Sequence, residues 1–205
     1  MPINFSILPI IDNKIKEIEK KYQETQGLIL TESDLKCLLY KKLNEIPEFS
    51  RITRTEDPHI CANSIHTELP WYDQNKKLTI KPDITILEPR NLSILHKCYE
   101  PDSNPPSKQC EFHGKAIIFE LKFIRNKTGI RKATLDRSIK KDFNKIKRLF
   151  RRLEHQNRAH EVFCYFVIFN KTDIKCREFR RFINWNIDSN RYRIIYGTGK
   201  VIFNR

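Results

Sequence analysis

Two carboxylates and a lysine stand in this chain where apolar residues would be expected. The segment Lys115-Ala-Ile-Ile-Phe-Glu-Leu-Lys-Phe-Ile124 reads as a buried strand, yet Glu120 and Lys122 interrupt its apolar run. Charged side chains are rarely placed in such a run unless they are paired, hydrated or bound to a cation. Residues two apart on a strand share a face, so Glu120 and Lys122 project together, opposite Ile117, Phe119, Leu121 and Phe123. Upstream, Lys81-Pro-Asp-Ile-Thr-Ile-Leu87 is a second apolar strand that opens on Asp83. If the two strands are neighbours, Asp83 and Glu120 can share one cation. Hard divalent ions such as Mg²⁺ or Mn²⁺ take oxygen ligands and keep several waters, and the carbonyl of Leu121, between the two outward residues, is the natural third ligand. A metal so held polarises a phosphoryl oxygen and lowers the pKa of a bound water. Lys122 would orient the attacking water and offset charge in the transition state. The expected chemistry is hydrolysis of a phosphodiester by in-line attack. Read singly, Asp83 is better taken as a turn or strand-start acid, and the plainer alternative for Glu120 with Lys122 is a same-face salt bridge at a sheet edge.

The elements that must position these residues follow from periodicity. Ile11, Ile15, Ile18 and Tyr22 form one stripe of a helix over residues 8–26. Its polar remainder suggests an N-terminal helical arm, residues 1–30, outside the core. Thr31 caps a second helix with Glu32 and Asp34 in its first turn, and Leu35, Leu38, Leu39 and Leu43 on its inner face. Residues 48–59 read as loop. Residues 62–71 and 78–87, around a turn at 73–76, read as a hairpin. Prolines at 89, 101, 105 and 106 mark residues 88–114 as a long inserted loop between two strands. After the central strand come a basic loop at 125–133 and a long amphipathic helix over 135–155. Glu161–Phe169 reads as a strand buried on both faces and paired in parallel. A helix near 173–185 and a terminal hairpin (192–196 with 200–203) complete a C-terminal extension, residues 171–205. A mixed central sheet flanked by helices, in one α/β domain with its core at 31–170, is the economical architecture.

Charge narrows the partner. The 205 residues carry a net +14, which suits a polyanion. Between Lys122 and Arg158 there are 14 Lys/Arg against 3 acids, a net of +11, so the excess follows the Glu-Leu-Lys strand directly. Arg125, Lys127, Arg131, Lys132, Lys140, Lys141 and Lys145 are the expected phosphate contacts. A solvated helix face is the plainer alternative. Six scattered cysteines, an N-terminus without a basic leader, and a longest apolar run (Val162–Phe169) far short of a bilayer point to a soluble, reducing, cytoplasmic setting with no membrane association. His96, Cys98, Cys110 and His113 are ligand types suited to a structural zinc, but their spacing matches no zinc signature, and free thiols in a hairpin extension are the alternative.

Pro82-Asp83, followed by Glu120-x-Lys122 in an apolar strand, resembles the PD-(D/E)xK nuclease superfamily. The resemblance covers residues 31–170 and implies a restriction-endonuclease-like core of order αβββαβ. It implies metal binding by Asp83 and Glu120 and assistance of the attacking water by Lys122. Members often add an acid from the helix before the sheet. Glu32 is that candidate, with Glu68 on the first strand as its rival. The departure is the separation of 37 positions between Asp83 and Glu120, which the 88–114 insertion must absorb by leaving the sheet. The implied activity is a Mg²⁺- or Mn²⁺-dependent endonuclease on DNA, with RNA left open, and double-strand cleavage would call for a homodimer. A non-catalytic nucleic-acid-binding module that keeps the fold is the second reading. A structural protein of ribonucleoprotein assembly is the third, and it leaves Glu120 and Lys122 unexplained.

Overall fold

A computed structural model describes residues 4–72, 78–94, 110–112, 114–186 and 190–200. The elements that matter are α1 (Leu8–Glu24), α2 (Glu32–Asn44), β1 (Ile65–Thr67), β2 (Ile84–Leu87), β3 (Ala116–Ile124), α3 (Lys140–His155), β4 (Val162–Asn170), α4 (Arg177–Asn186) and β5 (Tyr192–Thr198). They build a mixed five-stranded sheet in the order β5-β4-β3-β2-β1. β4 runs parallel to both β3 and β5, whereas β2 is antiparallel to β3 and to β1.

The alternation of β3 decides which helices cover which face. Ile117, Phe119, Leu121 and Phe123 join the layer that buries Ile11, Ile15, Ile18, Leu35, Leu39 and Leu43 of α1 and α2. Ala116, Ile118 and Ile124 join the opposite layer with Phe143, Ile146 and Leu149 of α3 and Phe179 of α4. Glu120 and Lys122 share the parity of this second group, so they face α3. Every residue of β4 is buried, as a strand sandwiched between two helical layers must be.

Several segments depart from the sequence expectation. The expected outlying arm is a core element. Ile11, Ile15, Ile18 and Tyr22 are all at most 2% exposed, and α1 is tied to the last strand. The N–H of Thr198 donates to Glu19 Oε1 at 2.9 Å, Gln23 Nε2 donates to the Thr198 carbonyl at 3.0 Å, and Arg193 pairs with Asp12. The polar residues of α1 thus reach the sheet edge instead of solvent alone. β5 is not one arm of a terminal hairpin; it extends the central sheet in parallel beside β4. Residues 201–205 lie outside the described residues, and the second arm expected at 200–203 falls almost wholly there. The expected first hairpin is divided in two. β1 pairs with β2, while Trp71–Tyr72 pairs with Leu78–Ile80 in a separate ladder. Glu68, at φ 55°, is where the chain leaves β1; the turn expected at 73–76 lies outside the described residues. The 48–59 stretch holds a helical turn, Pro47–Ser50, and a two-residue ladder between Thr53–Arg54 and Cys61–Ala62.

The described ends of the insertion leave the sheet. Leu92–Ile94 pairs with Cys110–Phe112 in a ladder of its own, and β2 and β3 are direct neighbours. The residues named for zinc, His96, Cys98 and His113, lie outside the described residues, and of Cys110 only the strand is described. No helix among the described residues is long and apolar enough to cross a membrane.

Two local devices hold the site's borders. Thr31 and Asp34 form a reciprocal capping box at the start of α2: Asp34 N–H donates to Thr31 Oγ1 (3.1 Å), and Thr31 N–H to Asp34 Oδ2 (2.8 Å). This fixes Glu32 as the first residue of the helix. Gly129, at φ 64°, lets the basic loop close on the segment before α4, because a Cβ there would sit 2.1 Å from the Ile174 carbonyl. Ile130 N–H donates to that carbonyl, and Cys176 N–H donates to the Ile130 carbonyl.

Candidate active site

The site lies where β2 ends and β3 runs on. Ile84 is registered against Phe119, and one further step sets Asp83 opposite Glu120. Beyond that step β3 has no strand partner on this edge among the described residues, yet its N–H groups still need acceptors. Side-chain carboxylates supply them. Leu121 N–H donates to Asp83 Oδ2 at 2.8 Å, and Phe123 N–H donates to Glu32 Oε2 at 3.0 Å. A residue's N–H and C=O face the same edge of its strand, so the Leu121 carbonyl is turned to the Asp83 side, as a third oxygen ligand requires.

Electrostatics set these acids apart from surface carboxylates. Glu120 is 8% exposed, and its pKa is pushed up to about 8, first by burial and then by the charge of Asp83. Lys145 and Lys122 offset this only in part. Burial likewise raises the pKa of Asp83; the Leu121 N–H opposes the rise and the charge of Glu32 adds to it. Adjacent carboxylates that destabilise each other's charge are suited to a shared cation. Asp83, Glu120 and the Leu121 carbonyl could together offer three hard oxygens, a set that would suit Mg²⁺ or Mn²⁺ with retained waters. Among the described residues no group of three or more Asp, Glu, His or Cys side chains gathers into a fuller metal cage.

Lys122 Nζ lies 2.9 Å from Asp142 Oδ2 and 3.5 Å from Glu32 Oε2. Burial works against its charge, but the hydrogen bond to Asp142 and the charge of Glu32 outweigh it, so its pKa is raised and the group stays cationic. A charged donor orients and neutralises; it does not take a proton from water. Lys145 Nζ lies 2.7 Å from Asp142 Oδ1 and 3.8 Å from Glu120 Oε1.

Of the two rival acids, Glu32 reaches the cluster. Glu68 is held at 2.6 Å by both Lys36 and Lys81, and these pairs bring its pKa down to about 2. Only its backbone meets the site, through the Glu68 N–H donating to the Asp83 carbonyl at 3.1 Å.

The residue that sequence reasoning missed is Asp142, counted there only as one acid in a basic stretch. A signal was present. Asp142 lies between Ile139 and Ile146 on the inner stripe of the helix, where the period demands an apolar residue. The π-helical turn Leu135–Ile139 leads into that stretch; such turns recur at functional sites.

The expected phosphate contacts are dispersed. Arg125, Lys127, Arg131, Lys132, Lys140 and Lys141 are exposed, and Lys140 is paired to Asp136 at 2.7 Å. Lys145 alone belongs to the carboxylate cluster. On the outer face of α3, Lys141, Lys147, Arg148 and Arg151 line an open surface depression with Asn144 and, from the turn before the helix, Asp136 and Arg137; of these cations the expected phosphate contacts include Lys141.

In comparisons with known proteins, no family model, no curated protein and no solved structure matches this chain.

Proposed function

We propose that the chain is a Mg²⁺- or Mn²⁺-dependent endonuclease that hydrolyses phosphodiester bonds in DNA. The observation that carries this reading is the juxtaposition of Asp83 and Glu120 across adjacent strands, both with raised pKa values, beside a lysine that stays charged. A divalent ion held by Asp83, Glu120 and the Leu121 carbonyl supplies Lewis acidity at the phosphodiester and acidifies water. The chain's own groups do the positioning. Asp83, fixed by the Leu121 N–H, and Glu120, fixed by β3, set the distance between the carboxylates. Lys122 stands two residues from Glu120 on the same face, where its ammonium orients the attacking water and balances negative charge as it builds on the phosphate. Glu32 bounds the cluster on the α2 side. The exposed cations of the 125–132 loop and of α3 hold phosphates without reading bases.

The test is incubation of plasmid, single-stranded DNA and RNA with Mg²⁺ or Mn²⁺, comparing the wild type with Asp83→Ala and Lys122→Ala. Metal-dependent cleavage lost in both variants supports the reading, and the preferred nucleic acid identifies the substrate. Cleavage surviving both substitutions overturns the site. Salt-sensitive binding without any cleavage identifies the non-catalytic binding module, which the pairing of Lys122 with Glu32 and Asp142 would equally serve as a structural brace.

A further inference from the structure

The geometry points to Asp142 as a positioning residue of this site: its carboxylate holds the ammonium groups of Lys122 and Lys145 in fixed places beside Glu120, ready for a phosphate of the bound strand. The placement of the lysines stands on distances alone; the consequence for cleavage rests on the nuclease reading above.

Asp142 is 7% exposed, so an unpartnered charge there would be heavily penalised. Each of its oxygens takes a different lysine: Oδ1 takes Lys145 of α3 at 2.7 Å, and Oδ2 takes Lys122 of β3 at 2.9 Å. One lysine would suffice to neutralise a buried carboxylate. Here two are recruited from two elements, and both border Glu120. The result is an alternating chain of carboxyl and ammonium groups, Glu32–Lys122–Asp142–Lys145–Glu120, with its outer gaps at 3.5 and 3.8 Å.

The lysines keep capacity for a ligand. An ammonium has three donors. Among the described residues, Lys122 commits donors to Asp142 and Glu32, leaving one; Lys145 commits one to Asp142, and its 3.8 Å approach to Glu120 exceeds hydrogen-bond length. The unspent donors are suited to non-bridging phosphate oxygens. Lysine is a flexible point charge, so it places a phosphate accurately only when something else restrains it. Without Asp142, Lys122 keeps Glu32 alone and Lys145 loses its short contact. A misplacement of ~1 Å in a catalytic group costs on the order of 100-fold in rate.

The experiment compares the full-length wild type with Asp142→Asn and Asp142→Glu. Cleavage of DNA is measured as separate kcat and KM values, and side-chain ¹³C relaxation reports the mobility of Lys122 and Lys145. The expected result is a fall in kcat of roughly 100-fold in Asp142→Asn, with KM nearly unchanged and partial recovery in Asp142→Glu. Lys122 and Lys145 are rigid in the wild type and mobile in Asp142→Asn. A wild-type kcat in Asp142→Asn overturns the proposal, as does unchanged lysine rigidity in that variant. If Asp142→Asn does not fold, mobile lysines in the wild type overturn it, and rigid lysines with a kcat-only defect in Asp142→Glu support it. If the wild type cleaves nothing, the nuclease reading fails while the relaxation data still decide whether Asp142 positions the lysines.

Discussion

Asp83 Oδ2 accepts a 2.8 Å hydrogen bond from the backbone N–H of Leu121, so the strand that carries Glu120 also anchors the first carboxylate of the site. The bond separates two roles of Asp83, acceptor and anion. Asp83→Asn keeps an acceptor oxygen and removes the repulsion with Glu120, so its melting temperature should equal or exceed that of the wild type without metal. Asp83→Ala strands the N–H and should cost ~1–3 kcal/mol. Both should lose Mn²⁺ binding by titration calorimetry. Retained stoichiometric binding in either would remove Asp83 from the ligand set.

Glu120 makes stability depend on pH with a particular sign. Its folded pKa, about 8, exceeds its ordinary value of 4.5, so the folded state holds the proton more tightly than the unfolded chain. The stabilisation is full below pH 4.5 and is lost as pH rises towards 8. In the metal-free protein this group should remove stability of the order of a few kcal/mol across that window. Asp83, shifted in the same direction, adds to the slope at its acid end. Urea denaturation between pH 5 and 8 checks this at approximate half-unit steps. Glu120→Gln should flatten the slope, and an unchanged slope would mean that the carboxyl is hydrated.

Glu32 and Glu68 are distinguished by substitution. Glu32→Gln keeps an acceptor for the Phe123 N–H but weakens the electrostatic hold on Lys122, and should lower kcat by about tenfold, or ~1.4 kcal/mol. Glu68→Gln disturbs two surface ion pairs, each worth ~0–1 kcal/mol, and should alter melting by a few degrees at most. The reverse ranking in cleavage assays would restore Glu68 as the third acid.

The basic face of α3 and of the turn that leads into it should appear in the salt dependence of binding. Replacing Arg137, Lys141, Arg148 and Arg151 with Gln should reduce the slope of log K against log salt by up to ~3.6 on duplex DNA, at about 0.9 per phosphate contact. Fluorescence anisotropy over a range of salt concentrations measures it. An unchanged slope would identify the face as solvated surface.

The sequence by itself determined the facing of residues and the identity of most elements, because period and capping are local properties. Period two put Glu120 and Lys122 on one face of β3, the apolar run marked β4 as covered on both sides, and Thr31 announced the start of α2 beside Glu32. Tertiary structure alone decided which faces meet. Asp83 reaches Glu120 across 37 positions only because the intervening ladder leaves the sheet, an outcome of long-range pairing. α1 became core because β5 closed the sheet edge against it, and β5 paired in parallel with β4 where a local hairpin had been expected. Asp142 was visible as an acid on an apolar stripe, but a stripe does not name its partner. Only the packing of α3 on β3 brought its carboxylate to Lys122 and Lys145, and a buried charge acquires its meaning from the charges that surround it.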